Sequence, residues 1–209
     1  MEKILINDLS FAYPDEPNRL IIKDINLEIE QGEFVCLLGQ SGCGKSTLLK
    51  LLAGLQKPSQ GEITIDGDPI KGASLERTVV FQDYGLFPWM TAGENILLAL
   101  QQKYPKQPKK ELKNRAMEML KQVGLDESVY KKLPKELSGG MKQRCAIARS
   151  LGVDAPILLM DERFLERDNQ SLLPEEWESY YAVNRNNCGQ VLENFWNGLD
   201  NDKVAEAES

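Results

Sequence analysis

The sequence predicts an α/β fold, an open sheet of buried strands packed by helices, and three observations carry that prediction. A continuous apolar run, EFVCLLG (33–39), passes through glycines into the helical stretch KSTLLKLLAGL. A second buried run, APILLMDE (155–162), ends on two acids. Between them, from about 91 to 153, the character is helical. Runs apolar at every position suit strands covered on both faces, whereas half-buried antiparallel strands alternate.

The elements follow in order. ILINDLSFAY and IIKDINLEIE alternate apolar and polar positions around the turn signal PDEPN, which predicts an N-terminal antiparallel β subdomain. The helix after the glycines should end at Gly54, with Pro58 beyond it. GEITIDGDPI reads as a short strand with a turn at Asp66-Gly67, and RTVVFQ (77–82) as another β-branched run. In 109–123, Leu112, Ala116, Met119, Leu120 and Val123 share one face at 3.6-residue spacing, and KQPKK before them reads as a solvated approach. A further helix should begin at LSGG (137–140) and run through MKQRCAIARSL. These readings place a nucleotide-binding domain at 1–162, with a helical subdomain at about 83–150.

Composition narrows the chemistry. The 209 residues contain no histidine, which excludes a Ser-His-Asp triad, a Cys-His pair, His-ligated zinc and an imidazole base. Catalysis must run on carboxylates, lysine, backbone amides or a bound metal. Cys36, Cys43, Cys145 and Cys188 show no CxxC spacing, so free thiols in a reducing compartment are expected. The net charge of −7 is uneven, with 21 Lys+Arg against 22 Asp+Glu in 1–162 and 4 against 10 in 163–209. An acidic total argues against nucleic acid as a partner. No long apolar core marks the N-terminus as a cleavable signal, and no stretch approaches the roughly 20 apolar residues of a membrane span. A cytoplasmic chain is expected.

Three motifs carry chemistry. GQSGCGKST (Gly39, Gln40, Ser41, Gly42, Cys43, Gly44, Lys45, Ser46, Thr47) matches G-x-x-x-x-G-K-[ST] between a buried strand and a helix, the context a phosphate loop requires. Its glycines let backbone amides converge on phosphate oxygens, with the helix dipole aimed at the same point. Lys45 supplies an ammonium for the β- and γ-phosphates of ATP, and Ser46 a hydroxyl for Mg²⁺. ILLMDE delivers Asp161 and Glu162 to a strand's carboxyl end, Asp161 to hold the metal through water and Glu162 to polarise an attacking water. Alone these acids could equally be a surface turn; paired with the phosphate loop they are not. In LSGGMKQR, Ser138 is a helix N-cap and Gly139 and Gly140 leave amides open, an anion site or an ordinary cap.

Together and in this order, the three motifs resemble the ATP-binding subunits of ABC transporters, and LSGGMKQR looks like their signature sequence. The resemblance covers residues 4 to about 162 and implies a P-loop NTPase core. It implies that Gln82, in VFQDYGLFPWMTAGENI, contacts Mg²⁺ and relays nucleotide state to a membrane permease. It implies that Tyr13 stacks on adenine, although a strand tyrosine can equally be core. Ser138, Gly139 and Gly140 would bind the γ-phosphate held by a second copy, in a head-to-tail homodimer sandwiching two ATP molecules. LFPWM (86–90) would receive a coupling helix of the permease, or be satellite core. SGCGKSTLL, LFPWMT and LSGGMKQR together are similar to importers of the nitrate, sulfonate and taurine group, which work with a solute-binding protein. The family's place is then peripheral, on the inner face of the cell membrane.

The resemblance stops after Glu162. The family continues with Pro, Phe and a Ser-Ala-Leu-Asp stretch, then a buried strand ending in a histidine that contacts the γ-phosphate. Here Phe164 and Asp168 match, but Arg163, Leu165, Glu166 and Arg167 do not, and the histidine is absent. Residues 163–209 hold seven of the twelve asparagines and no isoleucine, so an atypical acidic tail lacking the expected final strands is predicted, with at most a short helix around 191–199. Such a break fits a reading-frame change or premature ending. It leaves the central sheet with an unpaired edge and predicts weak turnover, hence an alternative reading as a degenerate nucleotide-binding fragment.

Overall fold

The structure, a computed structural model, describes residues 3–40, 42–162, 180–184 and 204–206. The described residues divide into two compact units, one holding those up to Val79 and those from Pro156 onward, the other those of Val80–Ala155.

In the first unit, β1 (Lys3–Ala12) lies between β2 (Leu20–Glu30) and β4 (Gln60–Ile65), antiparallel to both, and β5 (Asp68–Pro69) extends the sheet. The alternation read from the sequence is the cause: Ile4, Ile6, Leu9 and Phe11 turn inward and are buried. The β4–β5 hairpin turns on Asp66 and Gly67, both left-handed at φ +57° and +88°, as a two-residue loop between twisted strands demands.

The second sheet of this unit carries β3 (Phe34–Leu38), β6 (Arg77–Val80) and β7 (Ile157–Glu162). Val35, Cys36 and Leu37 of β3, and Ile157 through Met160 of β7, are all buried, as continuous apolar runs require. Helix α1 (Lys45–Leu52) buries Leu48, Leu49, Leu51 and Leu52 in the same core as Ile4, Ile29 and Leu159. The chain leaves α1 at Gly54 (φ +75°), where a Cβ would stand 2.3 Å from the Gly72 carbonyl oxygen.

The tail adds two strands that the sequence reading did not anticipate, β8 (Tyr180–Asn184) and the three-residue β9 (Val204–Glu206), and neither is the expected buried strand ending in a histidine. The sheet order is β6-β7-β8-β3-β9, so β3 is paired on both sides and the expected unpaired edge does not arise there. β8 runs antiparallel to both β3 and β7, with Val183 opposite Val35 and Leu159. YYAVN is too short to show a period, and an antiparallel strand leaves no long apolar run to read. The helix expected around 191–199 and the RFLERD stretch lie outside the described residues.

The second unit is helical. α2 (Ala92–Lys103), α3 (Lys109–Gln122) and α4 (Gly139–Gly152) pack on one another, with short 3₁₀ turns at Glu127–Lys131 and Pro134–Glu136. Leu112, Ala116, Met119, Leu120 and Val123 are buried together, the face predicted from their spacing. Thr91 caps α2 through a capping box, its hydroxyl accepting from the Glu94 amide while Glu94 accepts from the Thr91 amide. Among the described residues, no helix is long and apolar enough to cross a membrane.

Candidate functional site

The phosphate loop is built by β3 and α1. Gly44 sits at the N-cap of α1 with φ +101°, and a Cβ there would stand 3.0 Å from the Ile21 carbonyl oxygen, so only glycine fits. No side-chain hydrogen bond caps α1 at Gly44. Lys45 is only 6% exposed, and its ammonium donates to the carbonyls of Gly39 and Gln40, each at 2.6 Å, with the Cys43 sulfur at 3.4 Å. The charge is therefore centred in the loop's own concavity. A Cβ at Gly42 would meet nothing within 4 Å, which leaves backbone open to a close-approaching anion. Ser41 lies outside the described residues.

Asp161 closes the site. β7 buries it to 8% exposure, and Ser46 donates to its Oδ1 at 3.0 Å. A hydroxyl and a carboxylate, hard oxygens beside a phosphate loop, fit Mg²⁺, which takes one or two protein oxygens and otherwise water and phosphate. Among the described residues no cluster of three acids, cysteines or histidines gathers, so a cage made of protein ligands alone is not on offer. Glu162 ends β7 beside Asp161, and its side chain lies outside the described residues.

Tyr13 is held at the same loop. Its ring packs edge-on against Phe11 with centroids 5.0 Å apart, and its hydroxyl lies 3.1 Å from the Thr47 hydroxyl. It is thus part-buried at the site's margin and tied to the core and to the loop at once.

In the second unit, Gln82 is exposed in the turn after β6. Ser138 caps α4, its hydroxyl accepting from the Met141 amide at 3.3 Å, and nothing stands within 4 Å of a Cβ at Gly140. Gly140 therefore presents open backbone, whereas a Cβ at Gly139 would stand 3.7 Å from the Tyr84 hydroxyl. LFPWM is not satellite core: Trp89 is 71% exposed and Phe87 37%, their rings 5.5 Å apart.

Sequence reasoning missed the residue that shapes this loop. Asn95 is wholly buried; its Oδ1 accepts from the Phe87 amide at 2.8 Å and its Nδ2 lies 3.0–3.2 Å from the carbonyls of Phe87, Met90 and Thr91. The available signal was a polar residue on the helix face that carries Ala92, Ile96 and Leu100. Of the cysteines, Cys36 and Cys145 are buried and Cys43 is exposed; burial pushes the Cys145 thiol up to about 11, against the opposing charge of Arg149.

Comparison with known proteins agrees with this geometry. The sequence pattern of the ABC transporter family matches residues 22–164. The nitrate import ATP-binding protein NrtD of Synechococcus elongatus is 45% identical over 175 residues, covering 81% of this chain and 63% of that protein. The bicarbonate transport ATP-binding protein CmpD of the same species is 41% identical over 162 residues, covering 77% and 58%. The chain thus spans about three fifths of these relatives' length. A dimeric post-hydrolysis structure of the ATP-binding cassette MJ0796, bound to ADP and Pi, superposes with a TM-score of 0.72 at 35% identity, covering 79% of this chain and 76% of that one.

Proposed function

Because the chain belongs to the ABC transporter family, we propose that it is the ATP-binding subunit of an importer and couples ATP binding and hydrolysis to solute uptake. The observation that carries this reading is the buried Lys45 ammonium centred in the phosphate loop, with the Ser46–Asp161 oxygen pair beside it. Lys45 and the loop amides would hold the β- and γ-phosphates, while Ser46, Asp161 and Gln82 would hold Mg²⁺. Bound there, Mg²⁺ offsets charge on the phosphate oxygens. Glu162 would take a proton from the attacking water, and Tyr13 would offer its ring to adenine.

Ser138, Gly139 and Gly140 would complete the site of a second copy in a head-to-tail homodimer, consistent with the dimeric cassettes it resembles. The exposed Phe87–Trp89 pair would meet an integral permease, and a solute-binding protein would act through that permease. The chain would then work at the inner face of the membrane. NrtD and CmpD are named for nitrate and bicarbonate, small planar oxyanions, and solute uptake of that type is the reading for this chain. A second reading, nucleotide binding with poor turnover, is favoured by the departure after Glu162 and the lack of histidine in these 209 residues.

Titration of the chain with a fluorescent ATP analogue and Mg²⁺ tests the reading. Saturable binding is expected, weakened at least about tenfold by Lys45→Ala, since charge-assisted hydrogen bonds contribute about 1.5–3 kcal/mol. Equal affinity in the two proteins would sink it.

A further inference from the structure

The turn that follows Gln82 is gripped by the helix that begins at Ser138. The Tyr84 amide donates to the Phe81 carbonyl at 2.9 Å, and Asp83 Oδ1 accepts from the Gly85 amide at 3.1 Å. Tyr84 and Gly85 are both left-handed, at φ +64° and +52°. For a tyrosine that backbone is strained by on the order of 1 kcal/mol or more, and it persists only where the surroundings hold it.

Arg149 of α4 holds it. One guanidinium nitrogen donates to the Gly85 carbonyl at 2.6 Å and the other to the Tyr84 carbonyl at 3.1 Å. Only a planar fork serves two successive carbonyls in this way. Burial lowers the Arg149 pKa, opposed by Cys145 and Asp83, and the group stays charged across the physiological range. At the start of α4, the Tyr84 hydroxyl lies 3.7 Å from the place a Cβ on Gly139 would take. The turn is therefore bonded to the last turn of α4 through Arg149, while the Tyr84 side chain reaches toward its first turn.

We propose that Arg149 is a positioning residue that makes the turn bearing Gln82 and the start of α4 bearing Ser138, Gly139 and Gly140 one body. What Gln82 meets at its own nucleotide would then fix where the same chain presents its anion-binding amides to a second copy. Without the fork the Tyr84–Gly85 turn relaxes, and movement at Gln82 is absorbed before it reaches α4. The inference rests on the nucleotide-binding, dimeric reading above.

A double-mutant cycle tests it, run in a Glu162→Gln background so that bound ATP is not consumed. Monomer affinity for Mg-ATP and Mg-ATP-dependent dimerisation are measured separately, the first by fluorescence at low protein concentration, the second by sedimentation. Arg149→Lys keeps the charge and stem but cannot serve both carbonyls. It should leave monomer Mg-ATP affinity within about twofold and weaken dimerisation by about tenfold. Gln82→Ala should also weaken dimerisation, and the double variant no more than the worse single one. Multiplication of the two losses, or unchanged dimerisation in Arg149→Lys, overturns the proposal, because a merely structural Arg149 would act independently of Gln82. Should Arg149→Lys fail to fold by thermal melting, the cycle is run with Arg149→Gln, which can donate to one carbonyl but not serve as the fork, and the same non-additivity is expected. A parent chain that binds no Mg-ATP overturns the nucleotide reading and this inference with it. One that binds but never dimerises overturns the inference and leaves binding standing.

Discussion

Ser46 and Asp161 stand 115 residues apart in sequence and 3.0 Å apart in space, and that single hydrogen bond ties the phosphate loop to the acidic end of β7. A buried carboxylate needs such a partner, because an unpaired charge at 8% exposure would be costly. The same oxygens suit Mg²⁺, so the pair doubles as structure and as candidate ligand. Ser46→Ala is therefore expected to leave ATP binding in a chelator unchanged while removing most of the gain on adding Mg²⁺, read by titration with and without the metal. An unchanged Mg²⁺ gain would separate Ser46 from the metal. Both residues were legible in sequence, since the spacing of glycines, lysine and hydroxyl is itself the chemistry. Tyr13 was named through the family resemblance alone, and its contact with Thr47 was not legible, because a tyrosine at a strand's end reads the same whether its hydroxyl meets Thr47 or water.

Among the elements, the loop between β6 and α2 is the one whose shape is imposed from outside its own sequence. Asn95 uses both its amide nitrogen and its carbonyl oxygen on backbone groups of Phe87, Met90 and Thr91, and so fixes where Phe87 and Trp89 emerge. Asn95→Ala should lower stability by about 2–4 kcal/mol, the loss expected when several buried polar groups are orphaned. Asn95→Asp should be worse, because a carboxylate would face three carbonyl oxygens. Urea unfolding midpoints order the two variants, and an aspartate as stable as wild type would contradict the assigned hydrogen-bond pattern. The apolar faces of α3 and α4 were predictable because burial and period coincide. The loop was not, because its hydrogen bonds come from a helix residue later in the chain.

For the whole molecule the open quantity is turnover. The motifs for binding are complete through Glu162, whereas the 209 residues hold no histidine to contact the γ-phosphate. Loss of one preorganised contact of that kind costs about 10²–10³ in rate. The chain as it stands is expected to bind Mg-ATP yet hydrolyse it far below the roughly 1–10 s⁻¹ of an ordinary enzyme. A phosphate-release assay checks this; a rate in that ordinary range, abolished by Glu162→Gln, would refute it. The placement of β8 between β3 and β7 bears on folding more than on chemistry, since it satisfies strand hydrogen bonds without bringing a histidine.

By itself the sequence determined the buried strands, the helix faces and the phosphate loop, because each is a local pattern whose period or spacing is the physical cause. It determined the charge division too, near neutral through 162 and acidic beyond. Only the tertiary structure decided what depends on distant partners: that Tyr180–Asn184 pairs antiparallel between two apolar strands, that Trp89 faces outward, and that Asn95 and Arg149 grip one loop. Hydrogen bonds between residues far apart in the chain leave no period behind them, so they become visible only once the chain is folded.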